Sequence, residues 1–314
     1  MVISTKEQIE IAHNIKDISF EDADRDFANL KILARTKLSR NPPKNIKTGI
    51  DVVDYFTFPE RLHTVGYQGL SFFDFLRELP ELKQKKYIRN MVEFYHRERP
   101  QTPPLKMWYR IFSLYFGSIN SFKPSVALSV YQMKTPNELR ILDPTMGWGG
   151  RLVAAAAWGA HSYFGIDSNL RLKTPYARMC QFLTERHGVN THFELCFTDA
   201  IQFDYSGVSY NMVFTSPPYY DIETYSYMNA YSTKKEWNEQ FYIPLFRTTM
   251  HYLDNDGVFC INIPIEIYKN VCIPLWGAAH TKIPMPLASR TRNPTQNTYK
   301  EFIYVWYKSR LNFR

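Results

Sequence analysis

Cysteine is scarce in this chain. The four that occur, Cys180, Cys196, Cys260 and Cys272, form no CxxC pair and show no metal-ligand spacing. That speaks against a disulfide framework and against structural zinc, and it predicts a reduced, intracellular setting with no bound metal. None of the four follows a proline; the preceding residues are Met179, Leu195, Phe259 and Val271. No apolar run approaches the roughly 20 residues that span a bilayer. The N-terminus has no basic stretch leading into an apolar core. A soluble protein without signal peptide or membrane partner is expected. Repeats and low-complexity tracts are absent as well.

What is present is a chain of 314 residues, 45% hydrophobic and 22% charged, with a net charge of +8. That length builds one large domain or two ordinary ones. The basic balance favours a polyanionic partner, nucleic acid above all. The charge is uneven: residues 81–110 hold eight Lys/Arg against three acids. Lys85, Lys86 and Arg89 sit there among Tyr87, Phe94, Tyr95, Trp108 and Tyr109. Such a stretch is either a phosphate-contacting face with stacking rings or a solvated helix surface.

Residues 1–110 read as largely helical. Ile11, Ile15 and Ile18 recur at helical spacing, Ser19 with Asp22 marks a helix start running towards Leu38, and a further helix is expected over 81–98. From about residue 120 strands and helices alternate. Strands are expected at 139–142, 162–167, 192–197, 210–215, 257–263 and 299–307, with helices at 149–158, 170–186 and 235–252. The expected fold class is therefore α/β, a Rossmann-like, mostly parallel sheet (residues 111–314) behind a helical N-terminal domain (1–110). Ligands in such sheets lie beyond the carboxyl ends of the strands.

Two segments stand at such ends. The first is Asp143-Pro-Thr-Met-Gly-Trp-Gly-Gly150, after the first strand and before a helix. Gly147 and Gly149 permit a tight turn and close approach of a ligand. The third glycine of a dinucleotide-binding GxGxxG is missing. Asp167 ends the next strand, where a carboxylate can accept two ribose hydroxyls, and Asp199 ends the one after. The second segment is Thr215-Ser-Pro-Pro-Tyr-Tyr220.

Together these segments resemble the class I amino-methyltransferases that form N4-methylcytosine or N6-methyladenine in DNA, over roughly residues 120–308. The resemblance implies S-adenosylmethionine as cofactor, which has no pyrophosphate and needs no third glycine. It implies that Asp143, Gly147 and Gly149 line its methionine end, that Asp167 binds the ribose and Asp199 the adenine, with Thr145 a further cofactor-binding residue. Phe122-Lys123-Pro124 resembles the segment that completes the cofactor site, and Lys123 is carried over with it.

Ser216, Pro217, Pro218 and Tyr219 are the candidate catalytic residues. The lone pair of an exocyclic amine is delocalised into the base, so the amine is a poor nucleophile. Hydrogen bonds from its N–H groups to Ser216 Oγ and the Pro217 carbonyl favour a tetrahedral nitrogen aimed at the methyl group. The prolines fix the backbone that carries both acceptors. Tyr219 offers a stacking surface for a flipped-out base. Covalent C5-cytosine chemistry needs a Pro-Cys pair, which is lacking. Ser216 favours N4-cytosine over N6-adenine within the resembled family. The motif order, cofactor segment first, departs from many N4-cytosine enzymes and keeps adenine open.

The segment 221–233 is expected to wall the target base. Residues 280–297, with Arg290 and Arg292, are expected to form a loop that touches nucleic acid. Two other readings share these residues: an RNA adenine-N6 methyltransferase, and an inactive nucleic-acid-binding subunit of the same fold.

Overall fold

The computed structural model describes residues 3–38, 46–66, 68–117, 119–220, 223–224, 231–285 and 301–311. Arg290 and Arg292, and most of the expected wall over 221–233, lie outside the described residues.

Seven strands form the central sheet: β1 Arg140–Asp143, β2 Ser162–Ile166, β3 His192–Cys196, β4 Met212–Thr215, β5 Val258–Pro264, β6 Thr281–Pro284 and β7 Glu301–Tyr307. Their spatial order is β3-β2-β1-β4-β5-β7-β6. The first five in that order are mutually parallel, and β7 runs antiparallel between β5 and β6. This is a Rossmann-like, mostly parallel α/β sheet, as the sequence leads one to expect. The order reverses between β1 and β4, and such a reversal opens a crevice at the strand ends.

Both faces of the sheet are covered, so its strands read as apolar runs whose alternate residues serve different cores. Ile141, Tyr163, Met212, Phe214, Val258, Cys260, Ile303 and Val305 point into one core. Leu142, Phe164, Val213, Phe259, Ile261, Tyr304 and Trp306 point into the other. Along β7, Ile303 and Val305 thus oppose Tyr304 and Trp306.

The N-terminal helices divide between two cores. Phe27 and Leu30 of helix Phe20–Ala34, with Val52, Val53 and Phe56 of helix Ile50–Arg61, share the first sheet core with Leu152 and Met179. Phe58, on another face of helix Ile50–Arg61, joins a separate aromatic core with Phe72, Phe75 and Phe112. That helix therefore belongs to both.

Several boundaries differ from the sequence expectation. Ile18 falls outside helix Thr5–Ile15, because Ser19 caps the next helix with a reciprocal Ser19–Asp22 capping box. That helix stops at Ala34. The helix expected over 81–98 is two, Leu79–Leu82 and Lys86–Glu98, separated where Lys85 is extended. Residues 170–186 run as a 3-10 turn, an α-helix Lys173–Gln181 and a π turn. Thr281–Pro284, expected as loop, is strand β6. It has one buried residue, Ile283, too few for an alternation to be read, and pairing with β7 supplies what the local pattern lacks.

Candidate active site at the strand-order reversal

Asp143 closes β1 and is fully buried. Arg151 Nε lies 2.6 Å from its Oδ2 and Nη2 3.1 Å from its Oδ1, while Tyr163 donates its hydroxyl to Oδ2 at 2.6 Å. The carboxylate expected to meet the cofactor directly is thus taken up by protein. Asp143 anchors Arg151, and Arg151 in turn donates to the Thr145 carbonyl and holds the loop.

Beyond Asp143 the chain turns through Gly147 (φ 58°) and Gly149 (φ 94°), both in the left-handed region that favours glycine. The Gly147 N–H donates to Asp167 Oδ2 at 2.8 Å, and Tyr176 donates its hydroxyl to the Gly147 carbonyl at 3.0 Å. The space beside Gly147 is open: a Cβ built there meets only the Thr145 carbonyl oxygen, at 3.9 Å. Gly150 is the opposite case. A Cβ there would lie 1.9 Å from the Phe122 carbonyl oxygen, so Phe122-Lys123-Pro124 packs directly on the glycine segment. Lys123 precedes helix Pro124–Tyr131 and is half-buried; burial, with Lys47 adding repulsion, lowers its pKa.

Asp167 follows β2 and is half-buried. Each oxygen accepts one backbone N–H, Oδ1 from Asn169 at 2.9 Å and Oδ2 from Gly147. Each has further acceptor capacity. Desolvation pushes its carboxyl up to about 6 against the pull of those N–H groups, and nearby Asp143 adds to the rise. Asp199, three residues beyond β3, is half-buried and accepts the Ile201 N–H at 2.9 Å.

Across the reversal, Thr215 closes β4. Its hydroxyl lies 2.5 Å from that of Thr145. One hydrogen bond therefore ties the glycine segment to the Ser-Pro-Pro-Tyr segment. Ser216 and Tyr219 are half-buried, Pro217 is buried and Pro218 half-buried. Ser216 Oγ and Tyr219 Oη are 3.0 Å apart, and both reach the Asn262 side-chain oxygen on β5, at 3.3 and 2.8 Å. The Pro217 carbonyl accepts no hydrogen bond among the described residues. Tyr220 stands at φ 55°, the one described non-glycine residue with positive φ. Tyr242 secures that turn: its hydroxyl donates to the Pro218 carbonyl at 2.6 Å and accepts the Tyr220 N–H at 3.0 Å. Burial, then Glu266, pushes the Tyr220 phenol up to about 12.

Arg151, Tyr163, Tyr176, Tyr242 and Asn262 do not stand out as site residues in the sequence. Arg151 and Asn262 do leave a signal, a charge in an alanine-rich helix and an amide inside an apolar strand. The tyrosines leave none, because an aromatic at a core position reads the same with or without a use for its hydroxyl. The N-terminal region also reaches the site. Thr57 donates to the Trp148 carbonyl at 3.1 Å, and the Arg61 guanidinium lies 5.9 Å from the Trp148 ring centroid. Val65–Gly66 pairs antiparallel with Glu223–Thr224, just beyond the Ser-Pro-Pro-Tyr segment.

Lys85, Lys86 and Arg89 are exposed, at and within the start of helix Lys86–Glu98, which turns Ile88 and Tyr95 inward. Among the described residues no group of His, Cys, Asp and Glu is placed to hold a metal ion, and no helix is long and apolar enough to cross a membrane.

No family model and no curated protein matches the chain. Similar solved structures include TrmN from Thermus thermophilus, 16% identical over 64% of this chain and 52% of that one, TM-score 0.41. An rRNA methylase from Streptococcus thermophilus is 12% identical over 60% of this chain and 97% of that one, TM-score 0.36. NSun6 from Pyrococcus horikoshii, with SFG, is 16% identical over 55% and 49%, TM-score 0.38. The match spans about half the length of TrmN. At these scores the likenesses add nothing to the strand order, on which the fold rests.

Proposed function

We propose that this chain is an S-adenosylmethionine-dependent methyltransferase acting on an exocyclic amino group of a base in DNA, with N4 of cytosine favoured over N6 of adenine. The observation that carries this reading is the Thr145–Thr215 hydrogen bond, which sets the glycine segment beside Ser-Pro-Pro-Tyr at the strand-order reversal.

The residues present fit the cofactor. The open space at Gly147 and the loop through Thr145 to Gly149 suit its methionine end. Asp167 has acceptor capacity left for two ribose hydroxyls, Asp199 lies at the next strand end for the adenine, and Lys123 flanks the site. When bound, the cofactor supplies an electrophilic methyl group on a sulfonium. The chain's own part is to present the amine. Ser216 Oγ and the Pro217 carbonyl accept its two N–H groups, so the nitrogen lone pair points at the methyl carbon. With the cofactor bound, the amine would take up its methyl group and the sulfonium would leave as a neutral thioether, the amine proton passing to solvent. Tyr219 stacks on the base. We assign residues 1–110 the nucleic-acid contact, with Lys85, Lys86 and Arg89 on phosphates. Arg290 and Arg292 are proposed as further contacts.

Incubation with methyl-labelled S-adenosylmethionine and DNA, followed by digestion to nucleosides, tests the reading. Label in N4-methylcytosine is expected. Label in N6-methyladenine moves the target base, and preference for matched RNA moves the substrate. Cofactor binding with no label in any nucleoside defeats it.

A further inference from the structure

Resting on that reading, we infer that Asn262 is a positioning residue that fixes Ser216 as a hydrogen-bond acceptor toward the substrate amine. A serine hydroxyl can donate or accept, and only the accepting orientation draws on an amine N–H. A donating Ser216 would instead tie up the nitrogen lone pair that has to attack.

The orientation follows from counting protons. Ser216 and Tyr219 bring one hydroxyl proton each. Tyr219 donates to the Asn262 side-chain oxygen at 2.8 Å, with the Asn262 main-chain carbonyl at 3.2 Å as a second acceptor. The Ser216 hydroxyl lies 3.0 Å from the Tyr219 oxygen and 3.3 Å from the Asn262 side-chain oxygen, and both can accept its proton. Either way the Ser216 proton points inward and its lone pairs point out. Asn262 itself has little freedom to turn. It is 2% exposed, and its Nδ2 donates to the Phe302 carbonyl at 3.2 Å, which commits the amide oxygen to Ser216 and Tyr219. A buried amide in an otherwise apolar strand is costly unless each end is satisfied, and here each end is.

Ser216 thus has two alternative inward acceptors, and the test exploits that redundancy. Asn262→Leu leaves the Tyr219 oxygen, and Tyr219→Phe leaves the Asn262 oxygen while keeping the ring. Each alone is expected to lower kcat about threefold, and the pair together about a hundredfold, well beyond the product of the two. KM for DNA and the dissociation constant of S-adenosylhomocysteine are expected to stay within about twofold of wild type. A double variant that loses only the product of the single losses, or losses that appear in KM and cofactor affinity instead of kcat, overturns the inference alone. A wild-type chain that methylates no base amine overturns the functional reading and the inference with it.

Discussion

Arg151 grips the Asp143 carboxylate through both Nε and Nη2, at 2.6 and 3.1 Å, with both side chains buried. Removing one partner of such a pair leaves a charge without compensation in the interior. Arg151→Met is therefore expected to cost about 3–5 kcal/mol in stability. Asp143→Leu combined with Arg151→Met is expected to recover part of that loss. Urea unfolding followed by far-UV circular dichroism measures both; a wild-type midpoint for Arg151→Met would show the pair to be dispensable.

Asp167 predicts opposite pH trends for folding and for cofactor binding. Its folded pKa of about 6 lies above the ordinary value of 3.8, so the fold prefers the protonated form. Its contribution to stability is fully present below the ordinary value and is lost as pH rises through about 6. Two ribose hydroxyls need the ionised acceptor, so S-adenosylmethionine affinity is expected to fall as pH drops through about 6. Asp167→Asn should bind weakly with a flatter pH dependence. Calorimetry between pH 5 and 8 reads this, and an unchanged wild-type affinity across that range would argue against the ribose role.

The two glycines flanking the helix start should tolerate alanine unequally. At Gly149 the added methyl meets the flexible end of Met179, Cε at 2.9 Å, and the cost comes mainly from its φ of 94°, about 1–2 kcal/mol. At Gly150 it meets the Phe122 carbonyl oxygen at 1.9 Å, and backbone has to move. Gly150→Ala is expected to lower the melting temperature more than Gly149→Ala and to weaken cofactor binding by displacing Phe122-Lys123-Pro124. Equal melting temperatures for the two variants would contradict this.

Replacing Lys85, Lys86 and Arg89 together by alanine is expected to weaken DNA binding evenly across sequences. It should also make the dependence of log affinity on log salt shallower, by roughly 0.9 for each phosphate no longer neutralised. Cofactor affinity should not change. Titrations at several salt concentrations decide it; an unaltered slope would leave this helix face merely solvated.

Apart from β6, the strands are legible in the sequence because most are short apolar runs with clear punctuation, and because Asp143, Asp167 and Thr215 mark strand ends. Helix joints are less legible. The break at Lys85 carries no proline or glycine of its own, and the π turn at Phe182–Arg186 keeps an unbroken helical pattern. Within the site, Gly147, Asp167 and Ser216 can be picked out because their residue types are demanded by local geometry or chemistry. Asn262 and Tyr242 act across 46 and 24 residues of sequence, on Ser216 and on Pro218. No local pattern reports such a pairing. The pairing of Asp143 with Arg151 and Tyr163 is likewise invisible in sequence, since a carboxylate looks alike there whatever it meets.

Helix Phe20–Ala34 buries Phe27 and Leu30 in a core completed by Leu152, Met179 and Phe182. During synthesis its apolar face is made long before its partners. About 150 residues must follow, on the order of ten seconds at typical translation rates. At first the helix has Val52, Val53 and Phe56 to shelter against, and helix Pro124–Tyr131 joins them later in that interval. The nascent chain cannot complete its native core until the alanine-rich helix and the one after β2 have left the ribosome. A protein cut between the helical region and the sheet would carry that exposed surface permanently in both fragments.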